Sequence, residues 1–446
     1  MDQPLIDADT IAAVATAAGR GGIGIVRVSG RNLSLFTQQL LGVDLKPRQA
    51  QLCSVYDEDS QLIDQGLALF FAAPHSYTGQ DVLEFQGHGG PVVVNAVLRR
   101  CLQLGARLAQ PGEFTQRAFL NDKLDLAQAE SVADLIDASS IEAARCAARS
   151  LRGDFSQKIH DLVATLTSLR AQIETLLDFS DEALEFMQSE RIAGKLTQLV
   201  AQLHAIDRAA QRGSLLREGI HLVLIGQPNV GKSSLLNRLA GEERAIVTDI
   251  AGTTRDLIRE TVLLRGVPVH VIDTAGLQET LDIVERAGIE RTWQAITQAN
   301  LALLMVDAQN GVTEKEEAII SRLPVGLTTL VVHNKIDLLD MPVKTETNHH
   351  YISTKSGAGL TALSEHILSV AGWHNQSNGV FMARERHLQA LRQAIVHITA
   401  AQQQEQALEL MAEELRCAQQ VLGDITGPVD ADSLLGVIFS EFCIGK

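Results

Sequence analysis

The chain is short of positive charge, short of cysteine pairs, and has no long apolar run. Its 446 residues carry 38 Lys and Arg against 54 Asp and Glu, a formal net charge of −16. Nucleic-acid phosphates are bound by Lys and Arg, so a protein wrapped in nucleic acid is excluded, and any RNA contact must use a local patch or a partner. The five cysteines, Cys53, Cys101, Cys146, Cys417 and Cys443, include no C-x-x-C pair, which offers no zinc site and fits a reducing cytoplasm. Four of them read as buried small hydrophobes, whereas Cys443 sits beside the last residues, where Gly445 and Lys446 do not fit a prenylation box. No apolar stretch approaches the ~20 residues of a membrane helix. Asp2, Asp7 and Asp9 stand where a signal peptide would need basic residues ahead of an apolar run. A cytoplasmic protein without membrane contact is expected.

What is present is more specific. Gly226-Gln227-Pro228-Asn229-Val230-Gly231-Lys232-Ser233 has the form G-x-x-x-x-G-K-[ST]. An apolar strand pattern, Ile220 to Ile225, runs into it, and a helical pattern from Ser234 to Leu239 runs out. Glycines let the backbone wrap so that successive N–H groups face phosphate oxygens, and the helix N-terminus adds partial positive charge. In this arrangement Lys232 reaches the β- and γ-phosphates and Ser233 ligates Mg²⁺.

Three further signals follow in order. The strand pattern Val269 to Ile272 ends in Asp273-Thr274-Ala275-Gly276, where a carboxylate can hold the Mg²⁺ shell and a glycine can bring an N–H to the γ-phosphate. Leu330 to His333 ends in Asn334-Lys335-Ile336-Asp337; a carboxylate there accepts from both N1–H and the exocyclic amino group of guanine, which selects GTP over ATP. Tyr351-Ile352 leads to Ser353-Thr354-Lys355, placed to close over the base. Each tetrapeptide alone is weak, but their order after a phosphate loop, each at a strand end, specifies a GTPase domain. Two features of that domain are unusual. Leu277 stands where many GTPases place a water-orienting glutamine, and the phosphate loop has no arginine. Asn229 instead offers a carboxamide oxygen that could hold a monovalent cation against the phosphates, neutralising charge as an arginine does.

Length allows roughly three domains, and 46% hydrophobic residues suffice for sizeable cores. Residues 1–121 read as mixed α/β, with strands at Gly24–Ser29, Ala68–Phe71 and Val82–Phe85, a helix at Val92–Leu104, and a tight turn at Gly87-His88-Gly89-Gly90. His88 has no second metal ligand spaced nearby and reads as structural or close to a cofactor. Residues 122–213 turn to Ala, Leu, Gln and charge, without proline; Leu162, Leu166, Leu169, Ile173, Leu176 and Leu177 recur at helical spacing as a core stripe. The same texture returns in 379–446, through Leu388, Leu391, Ile395, Ile398, Leu408, Met411 and Leu415. The expectation is one helical domain interrupted by a GTPase domain at 214–378, with nucleotide-driven movement passed through the helices to the tail carrying Cys443. Arg145, Arg149, Arg152 and His160 fall near one another on a predicted helix, where a solvated face outweighs an RNA stripe.

At this point the chain resembles the MnmE (TrmE) family of tRNA-modification GTPases. The resemblance rests on Gly19-Arg20-Gly21-Gly22 through Gly30, Glu84-Phe85-Gln86-Gly87-His88-Gly89-Gly90-Pro91, Pro111-Gly112-Glu113-Phe114, Phe119 through Glu130, Gly252-Thr253-Thr254-Arg255-Asp256, and the terminal Phe442-Cys443-Ile444-Gly445-Lys446. It covers essentially the whole chain and implies an α/β plus all-α fold. That fold comprises an N-terminal α/β tetrahydrofolate-binding and dimerisation domain, a central helical domain, and an inserted P-loop GTPase domain of the Ras-like doubly wound α/β kind.

The implied function is potassium-dependent GTP hydrolysis by a homodimer. With a flavin-dependent partner of the MnmG (GidA) type, in a heterotetramer, the family adds a carboxymethylaminomethyl or aminomethyl group to C5 of the tRNA wobble uridine. The one-carbon unit comes from 5-formyltetrahydrofolate or a related folate. By matching position, GTP is held by Asn229, Val230, Gly231, Lys232, Ser233, Ser234, Thr248, Asp249, Ile250, Ala251, Gly252, Thr253, Thr254, Asp273, Thr274, Ala275, Gly276, Asn334, Lys335, Asp337, Ser353, Thr354 and Lys355. Ser233 and Thr254 hold Mg²⁺; Asn229, Thr248, Ile250 and Thr253 hold K⁺. Glu285 positions the attacking water, which answers the question that Leu277 raises. Folate lies near Arg27, Glu84, Lys123 and Lys446, with Cys443 proposed to take part in the chemistry. Gln278, Thr354 and Ala17-Ala18 depart from the usual family pattern. The alternative class is a regulatory G protein of ribosome assembly without modification chemistry; a helical protein with a vestigial GTPase domain does not fit intact Lys232, Ser233, Asp273 and Asp337.

Overall fold

The structure is a computed structural model and describes residues 9–178, 182–242, 258–273, 296–297, 299–339, 341–373, 379–404, 407–427, 438–439, 442 and 445, with the backbone only at 178, 182–190, 242, 258–260 and 273. The chain forms two compact units, Met1–Ala133 with Gly423–Lys446, and Asp134–Leu422.

The first unit contains β1 (Ile11–Val14), β2 (Gly24–Gly30), α1 (Ser34–Leu41), β3 (Gln51–Tyr56), β4 (Leu62–Phe71), β5 (Asp81–Gly87), α2 (Pro91–Gln103), β6 (Arg107–Leu108) and α3 (Glu113–Leu120), and α4 (Leu126–Ile136) begins in it. The sheet order is β3-β4-β5-β2-β1-β6. Period-2 alternation gives it two chemically different faces. Val26, Val28, Leu83 and Phe85 join Phe36 and Leu40 of α1 and Val94 and Val97 of α2 in one core. Arg27 and Glu84, directly paired in the antiparallel β2–β5 register, lie between those core positions and so belong to the opposite face. On that side Phe114 packs with Ile11, Ala13, Ala109 and Tyr77. The expected strands and helix are all present with longer or shifted ends, because strand pairing extends past the apolar residues that mark them in the sequence.

A buried ionic network supports the same region. Arg117 is fully buried and donates to Asp9 Oδ1 at 2.7 Å, Glu113 Oε1 at 2.9 Å and Gln80 Oε1 at 3.0 Å. Arg107 completes it with Glu113 at 2.7 Å and Asp9 at 2.7 Å. Burial pushes the Glu113 carboxyl upward, but hydrogen bonds from Arg107, the Gln110 amide and Arg117 outweigh it and hold the group below the usual carboxylate range.

The second unit contains α5 (Ile141–Leu151), α6 (Asp154–Asp178), α7 (Glu182–Glu218), β7 (Ile220–Ile225), α8 (Lys232–Glu242), β8 (Ile258–Leu264), β9 (Val267–Asp273), β10 (Leu301–Asp307), α9 (Glu314–Ile320), β11 (Thr328–Asn334), β12 (Lys344–Glu346), β13 (His349–Tyr351), α10 (Leu360–Val370) and α11 (Glu385–Gln402), with most of α12 (Leu408–Thr426). Its sheet order is β12-β13-β11-β10-β7-β9-β8. The five central strands β13, β11, β10, β7 and β9 are parallel. Alternate residues face two cores: Leu222, Leu224, Leu303 and Met305 on one side, Val223, Ile225, Ala302 and Leu304 on the other. A sheet covered on both faces explains why these strands read as continuous apolar runs.

In α6, Leu162, Leu166, Leu169, Ile173 and Leu176 are buried as their spacing predicts, while Leu177 is 41% exposed because it falls one position off the stripe. The helix expected to carry Arg145 through His160 is in fact two. Arg152 caps α5, Gly153 takes φ +98°, and Asp154 opens α6 and pairs with Arg152 at 3.0 Å. Cys53, Cys101 and Cys146 are buried, but Cys417 is only half-buried, beside Glu413 and Arg416 on the surface of α12.

The chain enters and leaves the sheet region at one anchored place. Asp134 Oδ1 accepts from Arg217 Nε, just before β7, and from Arg384 Nη2, just before α11, each at 3.0 Å. Ser150 Oγ accepts from the Met382 amide at 2.8 Å, and Gly213 lets the Phe381 carbonyl approach where a Cβ would sit only 1.8 Å away.

Candidate nucleotide site and the Arg27 face

The phosphate loop forms where β7 ends. Gly226 has φ +154° and Gly231 φ +106°. A Cβ at Gly226 would lie 2.5 Å from the Met305 carbonyl, and one at Gly231 would lie 2.3 Å from Asn334 Nδ2, so both glycines are required by close approach. Asn229 takes φ +65° and is exposed. Lys232 Nζ donates to the Gly226 carbonyl at 2.6 Å and the Gln227 carbonyl at 3.1 Å, which places its ammonium against the loop. Ser233 and Ser234 are exposed in the first turn of α8. In the parallel β7–β9 register, Asp273 lies beside Leu224, two residues before the loop. The sequence therefore brings Asn229, Val230, Gly231, Lys232, Ser233, Ser234 and the backbone of Asp273 to one end of the sheet.

The corner expected to read the base assembles at the same end. Asn334, at the end of β11, is 1% exposed. Its Nδ2 donates to the Val230 carbonyl at 2.8 Å and to Thr354 Oγ1 at 3.1 Å, while its Oδ1 accepts from the Thr354 amide at 3.0 Å. One carboxamide thus ties the phosphate loop to the loop after β13. Lys335 turns the chain with φ +68° and donates to Asp307 Oδ2 at 2.7 Å. That bond, with one from the Gln309 amide, holds the Asp307 carboxyl below its usual range. The turn sets Asp337 in a short 3₁₀ segment, Ile336–Leu338, where Ser353 Oγ donates to its Oδ1 at 2.5 Å. Lys355 is exposed at the loop's edge. Thr248, Asp249, Ile250, Ala251, Gly252, Thr253, Thr254, Thr274, Ala275, Gly276, Leu277, Gln278 and Glu285 lie outside the described residues.

The first unit offers a second constellation. Arg27 meets Glu84 Oε1 through Nε at 2.9 Å and Nη2 at 2.8 Å, with both side chains 16% exposed. Its Nη1 donates to the Gly445 carbonyl at 3.2 Å. The guanidinium lies 5.6 Å from the Tyr77 ring centroid and 5.7 Å from that of Phe114. Lys123 Nζ donates to the Pro74 carbonyl at 3.0 Å and is exposed; no contact joins it to Arg27. Cys443 and Lys446 lie outside the described residues. On the neighbouring edge, buried Asp64 holds His88 through both its amide and ring Nδ1, at 2.8 and 2.7 Å.

Sequence reasoning did not single out Tyr77, Arg238, or the Asp9–Arg107–Glu113–Arg117 network for any role. Tyr77 and Arg238 lack a motif; Glu113 sits within a recognised anchor, yet nothing local says that it is buried against two arginines.

The sequence pattern described as "MnmE helical domain" matches residues 126–443, and that described as "GTP-binding protein TrmE N-terminus" matches residues 10–123. The chain is 57% identical over 447 residues to a tRNA modification GTPase MnmE of Nitrosomonas europaea, across 98% of this chain and 99% of that one. It is 55% identical over 448 residues to the protein so named in Nitrosospira multiformis, across 98% and 99%. With that of Laribacter hongkongensis it shares 56% over 446 residues, again across 98% and 99%. Among solved structures, Era of Aquifex aeolicus bound to GDP and tetrafluoroaluminate is 26% identical and covers 40% of this chain and 66% of its own, with a TM-score of 0.28.

Proposed function

This chain belongs to the MnmE family of tRNA modification GTPases, and from that premise we propose that it hydrolyses GTP in a potassium-dependent way to drive modification of C5 of the tRNA wobble uridine. The proposed partners are tRNA, a second copy of the chain, and a flavin-dependent protein of the MnmG type, in the cytoplasm. Among the described residues no helix is long and apolar enough to cross a membrane. The proposed division is 1–121 for folate and dimerisation, 122–213 and 379–446 for the helical domain, and 214–378 for GTP.

In the GTP site, Lys232 and the amides from Asn229 to Ser234 grip the phosphates, and Asp337 reads the guanine. Exposed Ser233, in the first turn of a helix, fits an oxygen ligand of Mg²⁺, with Thr254 as its companion. Exposed Asn229 fits an oxygen ligand of K⁺, with Thr248, Ile250 and Thr253. These cations neutralise phosphate charge as the bond breaks. Glu285 would orient the water, since Leu277 cannot. Thr248 to Thr254 and Thr274 to Gly276 would supply the remaining contacts to the nucleotide.

On the Arg27 face, a half-buried cation between two aromatic rings and a carboxylate fits a flat, hydrogen-bonding heterocycle. Glu84 uses Oε1 for Arg27, which leaves Oε2 to accept from a pterin N–H. Lys123 and Lys446 would meet the folate's carboxylates. Folate supplies the one-carbon unit, and Cys443 would act beside it. The observation that supports this reading is the bond from Arg27 to the Gly445 carbonyl, one residue from Lys446 and two from Cys443 in the sequence.

The test is nucleoside mass spectrometry of tRNA from cells with and without the gene, paired with GTP hydrolysis in KCl and NaCl. The modified uridine should disappear with the gene, and hydrolysis should rise at least about tenfold in KCl. Unchanged nucleosides would turn the reading to a regulatory G protein of ribosome assembly; equal rates in both salts would remove the cation role.

A further inference from the structure

The loop from Ser353 to Lys355 is braced from a direction that no nucleotide-binding motif supplies. Arg238 lies two turns into α8, the helix that begins at the phosphate loop. Its Nε donates to the Thr354 carbonyl at 3.1 Å and its Nη2 to the Lys355 carbonyl at 2.5 Å. The Asn334 carboxamide meets the other two polar groups of Thr354, its amide and its hydroxyl. All three polar groups of Thr354 are therefore engaged, and the residue is 8% exposed. The bonds close a circuit: Val230 in the phosphate loop to Asn334, Asn334 to Thr354, Thr354 to Arg238, and Arg238 back along α8 to the phosphate loop. A planar guanidinium suits this task because two donors on one rigid fork meet two successive carbonyls, fixing the loop's orientation as well as its distance.

We propose that Arg238 is a positioning residue for guanine recognition. It sets the Ser353–Lys355 loop in its base-closing geometry before nucleotide arrives, so that guanine binding does not have to order the loop. The proposal rests on the GTP site argued above and adds a residue to it. Restraint that exists before binding lowers the entropy lost on binding, and its removal weakens binding of the part of the ligand the loop touches. The triphosphate, held by Lys232 and the loop amides, does not depend on Arg238.

The experiment compares the full-length chain with Arg238→Ala and Arg238→Lys in three measurements: KM and kcat for GTP and ATP, inhibition by tripolyphosphate, and the thermal midpoint. Arg238→Ala should raise KM for GTP about tenfold, with kcat within about twofold and tripolyphosphate inhibition unchanged. Arg238→Lys, with one point donor, should recover part of that loss. Parallel weakening of GTP and tripolyphosphate would assign Arg238 a general structural role and overturn the proposal, as would an unchanged KM. If the unsubstituted chain failed to prefer GTP over ATP, the underlying site would fall instead, whatever Arg238 does.

Discussion

At the corner proposed to read the base the restraints run through main-chain groups: Asn334 holds the Val230 carbonyl and the Thr354 amide, and Gly231 stands aside to let it do so. In the unit with the Arg27 face they run largely between charged side chains: Arg27 with Glu84, and Arg117 and Arg107 with Glu113 and Asp9. The first arrangement admits few residue types, because a carbonyl and an amide at fixed spacing need a carboxamide, and a close backbone approach needs glycine. The second admits many, because any opposed pair of charges on neighbouring elements, or one turn apart on a helix, can form it. The corner is therefore rigid and recognisable, and the face is adaptable and anonymous.

The largest effect should come from filling the space at Gly231. In Gly231→Ala the new Cβ would lie 2.3 Å from Asn334 Nδ2 at φ +106°, so both the phosphate loop and the Asn334 clamp must shift. GTP affinity by calorimetry should fall by roughly a thousandfold or more, while folate binding on the other unit stays unchanged. Wild-type GTP affinity in this variant would show that the corner is soft after all. Next in size is Glu84→Gln, which keeps shape and removes the charge that faces Arg27. Affinity for 5-formyltetrahydrofolate should drop about a hundredfold, with GTP hydrolysis within about twofold. Equal folate affinity in the two proteins would take Glu84 out of that site.

The same contrast explains what could be read in advance. The strand ahead of the phosphate loop is Ile220–Ile225 in the structure as in the apolar pattern, and Asn334 closes its strand within a residue of expectation, because buried parallel strands declare themselves as apolar runs. Gly226 and Gly231 were legible because only glycine fits their backbone. Arg27 and Glu84 became candidates through family resemblance alone; their spacing in sequence, 57 positions, reflects strand pairing that no local pattern encodes. Arg238 was illegible for another reason. On a helix surface an arginine looks solvated until the loop that returns 116 positions later is seen beneath it. The break at Gly153 was hidden because the alanines and arginines before it and the helically spaced Leu162, Leu166 and Leu169 after it both read as helix.

The smallest expected effect separates the two regions by pH. Glu113 is 3% exposed at its side chain, and its carboxyl is held below the ordinary value of 4.5 despite burial. A carboxylate whose folded pKa lies below its unfolded pKa contributes stability that is present above the unfolded value and lost as pH falls through the folded one. Replacing it by Glu113→Gln removes that contribution and leaves Arg117 with Asp9 as its remaining carboxylate. At pH 7 the variant should lose about 2 kcal/mol in the urea unfolding transition of the unit that carries the Arg27 face. The gap between variant and wild type should narrow as pH drops below about 4.5, because the wild-type carboxyl then takes up the proton that the amide mimics. GTP affinity at pH 7 should be the same in both proteins, since Asp9, Arg107, Glu113 and Arg117 bond one another within the first unit. A gap that stayed constant down to pH 3 would mean that Glu113 acts through shape rather than charge, and the electrostatic half of the comparison would fail.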